Sequence, residues 1–230
     1  MKIPDAVHAL DRDLRSICGD RFRSLVAYAG IAGDDRTSTL AVVDGLSADD
    51  LRACVGQVAA WDEAGLATPL FVAAHEFERS LDAFPFEFGA ILADHAVVSG
   101  ADPFVGLRVE TSHLRQACEV QARSHLLHLR EGFLETRGRS DALGELLLRS
   151  APPLLALLQS VVRLEDRMAT NPDVAAIVEQ KVGVPPGSLA QIARLVGRKD
   201  LPSDQARRLF PPYLDAVQRL TAYVDRWRSA

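Results

Sequence analysis

The side chains with the clearest capacity for chemistry are an arginine and a histidine in the middle of the chain. Arg123 and His128 form an R-x4-H pattern inside a segment with helical periodicity. An imidazole can act as a general acid or base near neutral pH, and a guanidinium can stabilise a phosphate. Five residues correspond to about 500° of helical rotation, so the two side chains do not share a face. A phosphate-cleaving site built from them therefore needs a second protomer or a distorted helix.

The other histidines and neighbouring acids do not complete a metal site. His125 and His128 lie three residues apart, with His113 further back, but no carboxylate follows at the spacing of a zinc motif. Asp34 and Asp35 are adjacent in sequence, so an extended backbone would point them to opposite sides. We therefore predict no zinc site and no other metal-ligand cluster.

Composition excludes several classes of protein. The chain has 230 residues, of which 48% are hydrophobic and 25% charged, as in a globular protein of one or two domains. A net charge of −5 argues against general binding to nucleic acid or anionic membrane. Three widely spaced cysteines exclude a disulfide framework. Because no secretory signal and no apolar run of about 20 residues is found, we expect a cytoplasmic protein without a membrane span.

The elements that must position these side chains change character part-way along the chain. Strands and helices mix over the first half, beginning with an amphipathic helix that ends near Gly19. A second helix is capped by Ser47 and Asp50 and ends at Gly65, with its predicted inward face formed by Leu51, Val55, Val58 and Trp61. Residues 31–36 have the glycine and aspartates typical of a turn. The predicted strands are short apolar runs at 24–28, 39–43, 69–73, 84–88 and 95–98.

From residue 110 onward the periodicity is helical throughout. The predicted helices cover 112–134, 140–149, 153–167, 172–182, 188–196 and 212–227. Pro172 and Pro212 suit first-turn positions, and Gly183 and Gly197 suit helix ends. The predicted fold class is an α/β (α+β) domain with a mixed sheet, residues 1–108, followed by an all-α helical bundle, residues 109–230.

Several stretches resemble the nucleotidyltransferase superfamily. In that superfamily a strand ends in Gly-Ser, a turn follows, and the next strand carries two alternating carboxylates, with a third on a later strand. Here the strand 25–28 leads into Ala29-Gly30, and Thr37-Ser38-Thr39 leads into the strand 40–43. Similarity to a bacterial set of such proteins extends to LDAFPFEF (81–88), DPFVGL (102–107) and LRQACEVQARSHLLHLREG (114–132).

The resemblance implies a set of site residues, in which the two metal-binding carboxylates of the superfamily are replaced. The positions of the two metal-binding carboxylates correspond to Thr37 and Thr39, which share one face of a strand. A neutral hydroxyl is a poor ligand for Mg²⁺, so we expect no magnesium, no other cofactor and no catalytic residues. Glu87 corresponds to the third carboxylate, and Gly30 to the phosphate-cradling turn. Gly30, Thr37, Thr39 and Glu87 are therefore the candidates for lining a nucleotide pocket.

These residues favour a catalytically silent nucleotidyltransferase-like protein, a pseudoenzyme that acts as a ligand-binding or interaction module. The expected ligand is a nucleotide or small molecule in the cleft between the two domains. A homodimer or a protein partner is also expected for the helical domain. Two alternatives stay open: a HEPN-like metal-independent ribonuclease, whose motif Arg123 and His128 resemble, and an active nucleotidyltransferase with relocated metal ligands.

Overall fold

The computed structural model describes residues 3–30, 36–165 and 171–228. The chain forms two compact units, which divide it between Val109 and Glu110. Every strand of the described chain lies in the first unit, whereas the second consists of helices and their connections. The predicted fold class, a mixed sheet with helices followed by a helical unit, is confirmed. The predicted turn at 31–36 falls almost wholly outside the described residues, as does Arg167 at the end of a predicted helix.

The first unit is organised around a four-stranded sheet in the order β3-β2-β1-β4. Its strands are β1 (Phe22–Tyr28), β2 (Ser38–Val43), β3 (Leu70–Ala73) and β4 (His95–Gly100). Strand β1 runs antiparallel to both β2 and β4, whereas β2 and β3 run parallel. Every residue of β2 is buried, in keeping with its nearly continuous apolar run. Both faces of the sheet are therefore covered at this strand.

Each face of the sheet carries its own hydrophobic layer. On one side, which we call the α1 face, the apolar stripe of α1 (Asp5–Cys18) packs on the sheet through Val7, Leu10, Leu14, Leu25, Ala41 and Val43. On the other, the α5 face, helices α4 (Phe77–Ala83) and α5 (Pro85–Ala93) contribute to a cluster of Val26, Leu40, Val42, Phe77, Phe88 and Ile91. Successive residues of β2 point alternately to the two faces. This alternation decides where each polar side chain near the start of β2 lies.

The helix that follows β2 has an N-terminus that is fixed by several hydrogen bonds. In α2 (Ala48–Val55), the Ser47 hydroxyl accepts from the Asp50 N–H while the Asp50 carboxylate accepts from the Ser47 N–H. This capping box is the predicted one. Arg21 also donates two hydrogen bonds to the Asp50 carboxylate, of 2.6 and 2.7 Å. These donors hold the pKa of Asp50 well below its usual range, first through Arg21 and then through Ser47.

The helix after this cap is shorter than predicted. The segment breaks at residues 56–57 and resumes as α3 (Val58–Glu63). Trp61 is buried as predicted, but Leu51 and Val55 are 46% and 71% exposed. The prediction of one continuous apolar face was wrong, because the segment forms two separate helices and Cys54 takes the inward position on α2.

The run FPFEF at 84–88, predicted to be a strand, is the start of helix α5. Pro85 lies in its first turn, where the missing N–H has no helical partner to lose. Phe88 and Ile91 follow three residues apart on the buried side. The strand prediction was wrong because a short apolar run has the same composition in a buried strand and in a buried helix. Glu87 therefore lies on a helix and not on a later strand.

The helical unit contains long helices that pack on one another. Its helices are α6 (Thr111–Glu135), α7 (Ser140–Arg163), α8 (Asn171–Val182), α9 (Ala190–Ala193) and α10 (Ser203–Arg226). Helices α6, α7 and α10 pack together around fully buried side chains that include Leu129, Leu147, Leu154 and Tyr213. Pro172 lies in the first turn of α8, and Gly183 follows its end with a φ of +72°, both as predicted.

Two helices continue through proline pairs, contrary to prediction. Pro152 and Pro153 lie inside α7, which was predicted as two helices, and Pro211 and Pro212 lie inside α10, which was predicted to begin at Pro212. Proline fixes φ at a value that a helix accepts, so the cost is the lost backbone hydrogen bond and local crowding, about 3 kcal/mol. In α7, Ala151, Leu154 and Leu155 are buried beside the pair. Each buried leucine contributes about 1.5–3 kcal/mol, which offsets that cost.

Helix α7 is also the most apolar long helix of the described chain. By length and composition alone it could cross a membrane, but half of its most apolar window is buried inside the protein. It packs against α6, α8, α9 and α10. These contacts are those of the central helix of a bundle. The cytoplasmic location stays a prediction.

Candidate functional site

Three polar side chains form a row across the sheet where β1 ends and β2 begins. Tyr28 of β1 pairs with Ser38 of β2 on one side and with His95 of β4 on the other. Directly paired residues of antiparallel strands point to the same face, and Tyr28 packs against the cluster on the α5 face. The hydroxyls of Tyr28 and Ser38 are hydrogen-bonded. We call Ser38, Tyr28 and His95 the polar row.

Gly30 lies directly against the hydroxyl of Ser38. A Cβ atom at position 30 would overlap Ser38 Oγ and come within 3.4 Å of Ser38 Cβ. Any larger residue would have to displace Ser38 and so disturb its hydrogen bond with Tyr28. The resemblance predicts that Gly30 belongs to a phosphate-binding turn. In the structure, the missing side chain at position 30 leaves room for the Ser38 hydroxyl of the polar row.

Glu87 approaches the polar row from the first turn of α5, with an exposed side chain. Burial raises the pKa of the Tyr28 phenol above its ordinary value, the hydrogen bond with Ser38 lowers it, and the Glu87 carboxylate raises it further. Tyr28 is therefore an uncharged hydrogen-bonding group at neutral pH, close to a carboxylate. The structure thus brings Gly30 and Glu87 to the same end of the same face.

His95 is held in position from three sides. Its Nδ1 lies 3.0 Å from the carbonyl oxygen of Ile91, and its Nε2 lies 3.4 Å from Asp102 Oδ1. Because a carbonyl can only accept, Nδ1 carries a proton. The ring of Phe104 packs on the imidazole at 4.7 Å between centroids, and its backbone N–H donates to the same Asp102 oxygen at 2.9 Å. The third member of the polar row therefore has a fixed orientation.

Thr37 and Thr39 lie on the opposite face of the sheet. Thr39 pairs with Ala27, which belongs to the cluster on the α1 face, and the alternation of side chains puts Thr37 on that face too. Thr39 is fully buried, and its hydroxyl has no hydrogen-bond partner among the described residues. The four pocket candidates therefore separate into two pairs: Gly30 and Glu87 on one face, Thr37 and Thr39 on the other.

No protein-family model matches this chain, and no curated protein sequence matches it. Its structure is similar to the crystal structure of the spectinomycin adenyltransferase of Enterococcus faecialis with ATP and spectinomycin. The match covers 96% of this chain and 99% of the adenyltransferase, with a TM-score of 0.62. The chain has a nucleotidyltransferase-like fold. Because the two sequences are only 9% identical, the similarity is one of fold alone.

The predicted metal positions of this nucleotidyltransferase-like fold hold neutral side chains. Among residues 3–30, 36–165 and 171–228, no group of three or more His, Cys, Asp or Glu side chains is arranged to hold a metal ion. Asp44, which follows β2, accepts a 2.6 Å hydrogen bond from Arg23 Nε, and this bond lowers the pKa of Asp44. Asp34 and Asp35 lie outside the described residues. The chemistry that the polar row offers is hydrogen bonding.

The ribonuclease candidates lie on α6 of the helical unit, and both are exposed. Arg123 Nη2 donates to Glu119 Oε1 at 3.0 Å and to Asp225 Oδ1 at 2.7 Å. His128 Nδ1 lies 3.2 Å from Glu131 Oε2. The guanidinium is therefore already compensated by two carboxylates, which weakens its attraction for a phosphate.

Sequence reasoning missed Tyr28, Ser38 and His95. One signal was available: the alternation that puts Thr37 and Thr39 on one face puts Ser38 on the other, beside the last residue of β1. No comparable signal existed for His95, because it reaches the row through the pairing of β4 with β1, which lies far away in sequence.

Proposed function

We propose that this protein binds a small ligand on a nucleotidyltransferase-like fold without catalysing metal-dependent nucleotidyl transfer. The observation that carries the proposal is the position of Thr39, which is uncharged, fully buried and on the face of the sheet opposite Glu87. Metal-dependent phosphoryl chemistry needs several oxygen ligands converging on one Mg²⁺. A sheet separates Thr37 and Thr39 from Glu87, so these positions do not converge.

The polar row suggests the class of ligand. The hydroxyls of Ser38 and Tyr28 offer hydrogen-bond donors and acceptors at the end of the sheet, with Glu87 beside them. These groups suit the hydroxyls and ring nitrogens of a nucleoside. A phosphate group would instead be repelled by the nearby carboxylates of Glu87 and Asp102. The similar adenyltransferase was crystallised with ATP, which supports an adenine nucleoside as the first ligand to test.

The proposal is tested by titrating the protein with adenosine and following heat release or amide chemical shifts. Tyr28→Phe removes one hydroxyl from the polar row and should weaken binding about fivefold, equivalent to one net hydrogen bond of about 1 kcal/mol. Tyr223→Phe is the matched control, since the Tyr223 hydroxyl bonds to Glu165 in the helical unit at 3.1 Å. Equal affinities for the two variants, or no binding of adenosine at millimolar concentration, would contradict the proposal.

A further inference from the structure

The helical unit carries a groove of about 320 Å³ between α6 and α7. Arg149 of α7 and Glu135 of α6 line it, and neither forms an ion pair with another residue of the described chain. Glu131, also in the lining, is engaged by His128 at 3.2 Å. The groove therefore presents one positive and one negative group that are available to a ligand.

The floor of the groove is a buried hydrogen-bond network. His125 is 7% exposed, and its Nε2 lies 2.5 Å from the hydroxyl of the fully buried Tyr213. Tyr213 is in turn hydrogen-bonded to Ser150, which lines the groove. Burial lowers the pKa of His125 to about 4, so its ring is neutral at neutral pH. Its other nitrogen, Nδ1, has no hydrogen-bond partner among the described residues and is not sealed from solvent.

The proline pair of α7 removes one helical hydrogen bond beside the groove. Pro153 lines the groove, and Arg149 precedes it by one helical turn on the same side of the helix. In a regular helix the N–H of residue 153 would bond to the carbonyl of residue 149, but proline has no N–H. The Arg149 carbonyl is therefore left without its usual intrahelical donor.

We propose that this groove binds a small zwitterion that carries a carboxylate and an ammonium group, of which free amino acids are the simplest class. Arg149 pairs with the carboxylate, Glu135 takes the ammonium, and His125 and Ser150 position the remainder. A volume of about 320 Å³ is at the small end of the range for ligand pockets, which suits a molecule of this size. The site lies within the helical unit and is independent of the polar row.

The test is thermal unfolding of the full chain with each standard amino acid supplied singly at millimolar concentration, followed by calorimetric titration of the one that stabilises most. Acetate and methylammonium, each with one charge only, are the reference compounds and should bind at least about tenfold more weakly. Arg149→Gln and Glu135→Gln should each weaken binding about tenfold, because each removes one charge-assisted contact.

Two variants serve as matched controls. Arg130→Gln on α6 and Glu145→Gln on α7 remove exposed charges that do not line the groove, and both should bind like the wild type. Circular dichroism of the unliganded variants separates loss of fold from loss of binding. If no amino acid raises the unfolding temperature, or if the groove variants bind as the controls do, the proposal is overturned.

Discussion

Thr39 of β2 and Glu87 of α5 lie on opposite faces of the four-stranded sheet. Thr39 points into the layer beneath α1, and Glu87 lies close enough to Tyr28 on the other face to raise the pKa of its phenol. A metal ion cannot be shared between side chains separated by the thickness of a sheet. This relationship, together with the absence of carboxylates at positions 37 and 39, supports the proposal that these positions do not hold a metal ion.

The first prediction concerns the burial of Thr39. Thr39→Asp should destabilise the protein by about 3–5 kcal/mol, because an uncompensated carboxylate would be buried under α1. It should not create magnesium affinity. Thr39→Val should instead stabilise the protein by about 1 kcal/mol, since it removes a buried hydroxyl with no hydrogen-bond partner among the described residues.

Urea denaturation of the two variants and of Thr37→Asp measures these effects. Thr37 is only half-buried, so its substitution by aspartate should cost less than the change at Thr39. Tight magnesium binding by a stably folded Thr37→Asp/Thr39→Asp double variant would show that the two side chains face solvent and do not lie in the layer beneath α1.

A second prediction concerns the close contact between Gly30 and Ser38. Gly30→Ala should destabilise the protein by roughly 1–3 kcal/mol, because the new methyl group overlaps Ser38 Oγ. In a Ser38→Ala background the same change should cost less, since the overlapping atom is gone. A double-mutant cycle by chemical denaturation measures the coupling. Gly56→Ala, where a Cβ meets only an ordinary 3.4 Å contact, is the control for a general glycine effect.

A third prediction concerns pH and His125. The pKa of His125 is lowered by burial to about 4 from an ordinary value of 6.5, so the unfolded chain binds a proton that the folded protein does not. Stability therefore falls as the pH drops below 6.5 and continues to fall until about pH 4. Between pH 7 and pH 5 this histidine should account for about 2 kcal/mol of lost stability.

The measurement is the free energy of unfolding at both pH values for the wild type, His125→Gln and His75→Gln. His125→Gln should lack most of this pH dependence, whereas His75→Gln, which alters an exposed histidine, should keep it. The same pH dependence in all three proteins would mean that His125 is not buried as a neutral ring.

A fourth prediction concerns the ribonuclease alternative. Arg123 is engaged by Glu119 and Asp225, and His128 contacts Glu131, so we expect no metal-independent cleavage of single-stranded RNA. The assay compares wild type, Arg123→Ala and His128→Ala, purified identically so that contaminating nuclease appears equally in all three. Cleavage that disappears in both variants while their fold is retained would favour the ribonuclease over the proposed function.

The sequence was informative where a local pattern decides the structure. The apolar stripe of α1, the Ser47–Asp50 capping box and the shared face of Thr37 and Thr39 all follow from spacing within a few residues. The same reasoning could not say which helix covers which face of the sheet, because that depends on packing between distant segments. It therefore grouped Thr39 with Glu87, which packing separates.

Local patterns also gave wrong predictions where the same composition suits both a strand and a helix. The run at 84–88 is apolar enough for a strand or a helix, and only its packing against Val26 and Leu40 decides for the helix. Proline pairs predict helix boundaries, but in α7 and α10 buried side chains on both sides of each pair stabilise a continuous helix. The polar row could not be predicted from local patterns, because its three residues lie on three different strands.

The most direct test of the central claim is to titrate the protein with ATP in the presence and absence of Mg²⁺ and to assay the same samples for transfer of AMP to the protein or to spectinomycin. We expect that Mg²⁺ does not strengthen ATP binding and that no AMP is transferred. Glu87→Gln should bind ATP at least as well as the wild type, because a repelling carboxylate is removed. Stronger binding of ATP with Mg²⁺, together with AMP transfer that is lost in Glu87→Gln, would show that the protein is a metal-dependent nucleotidyltransferase.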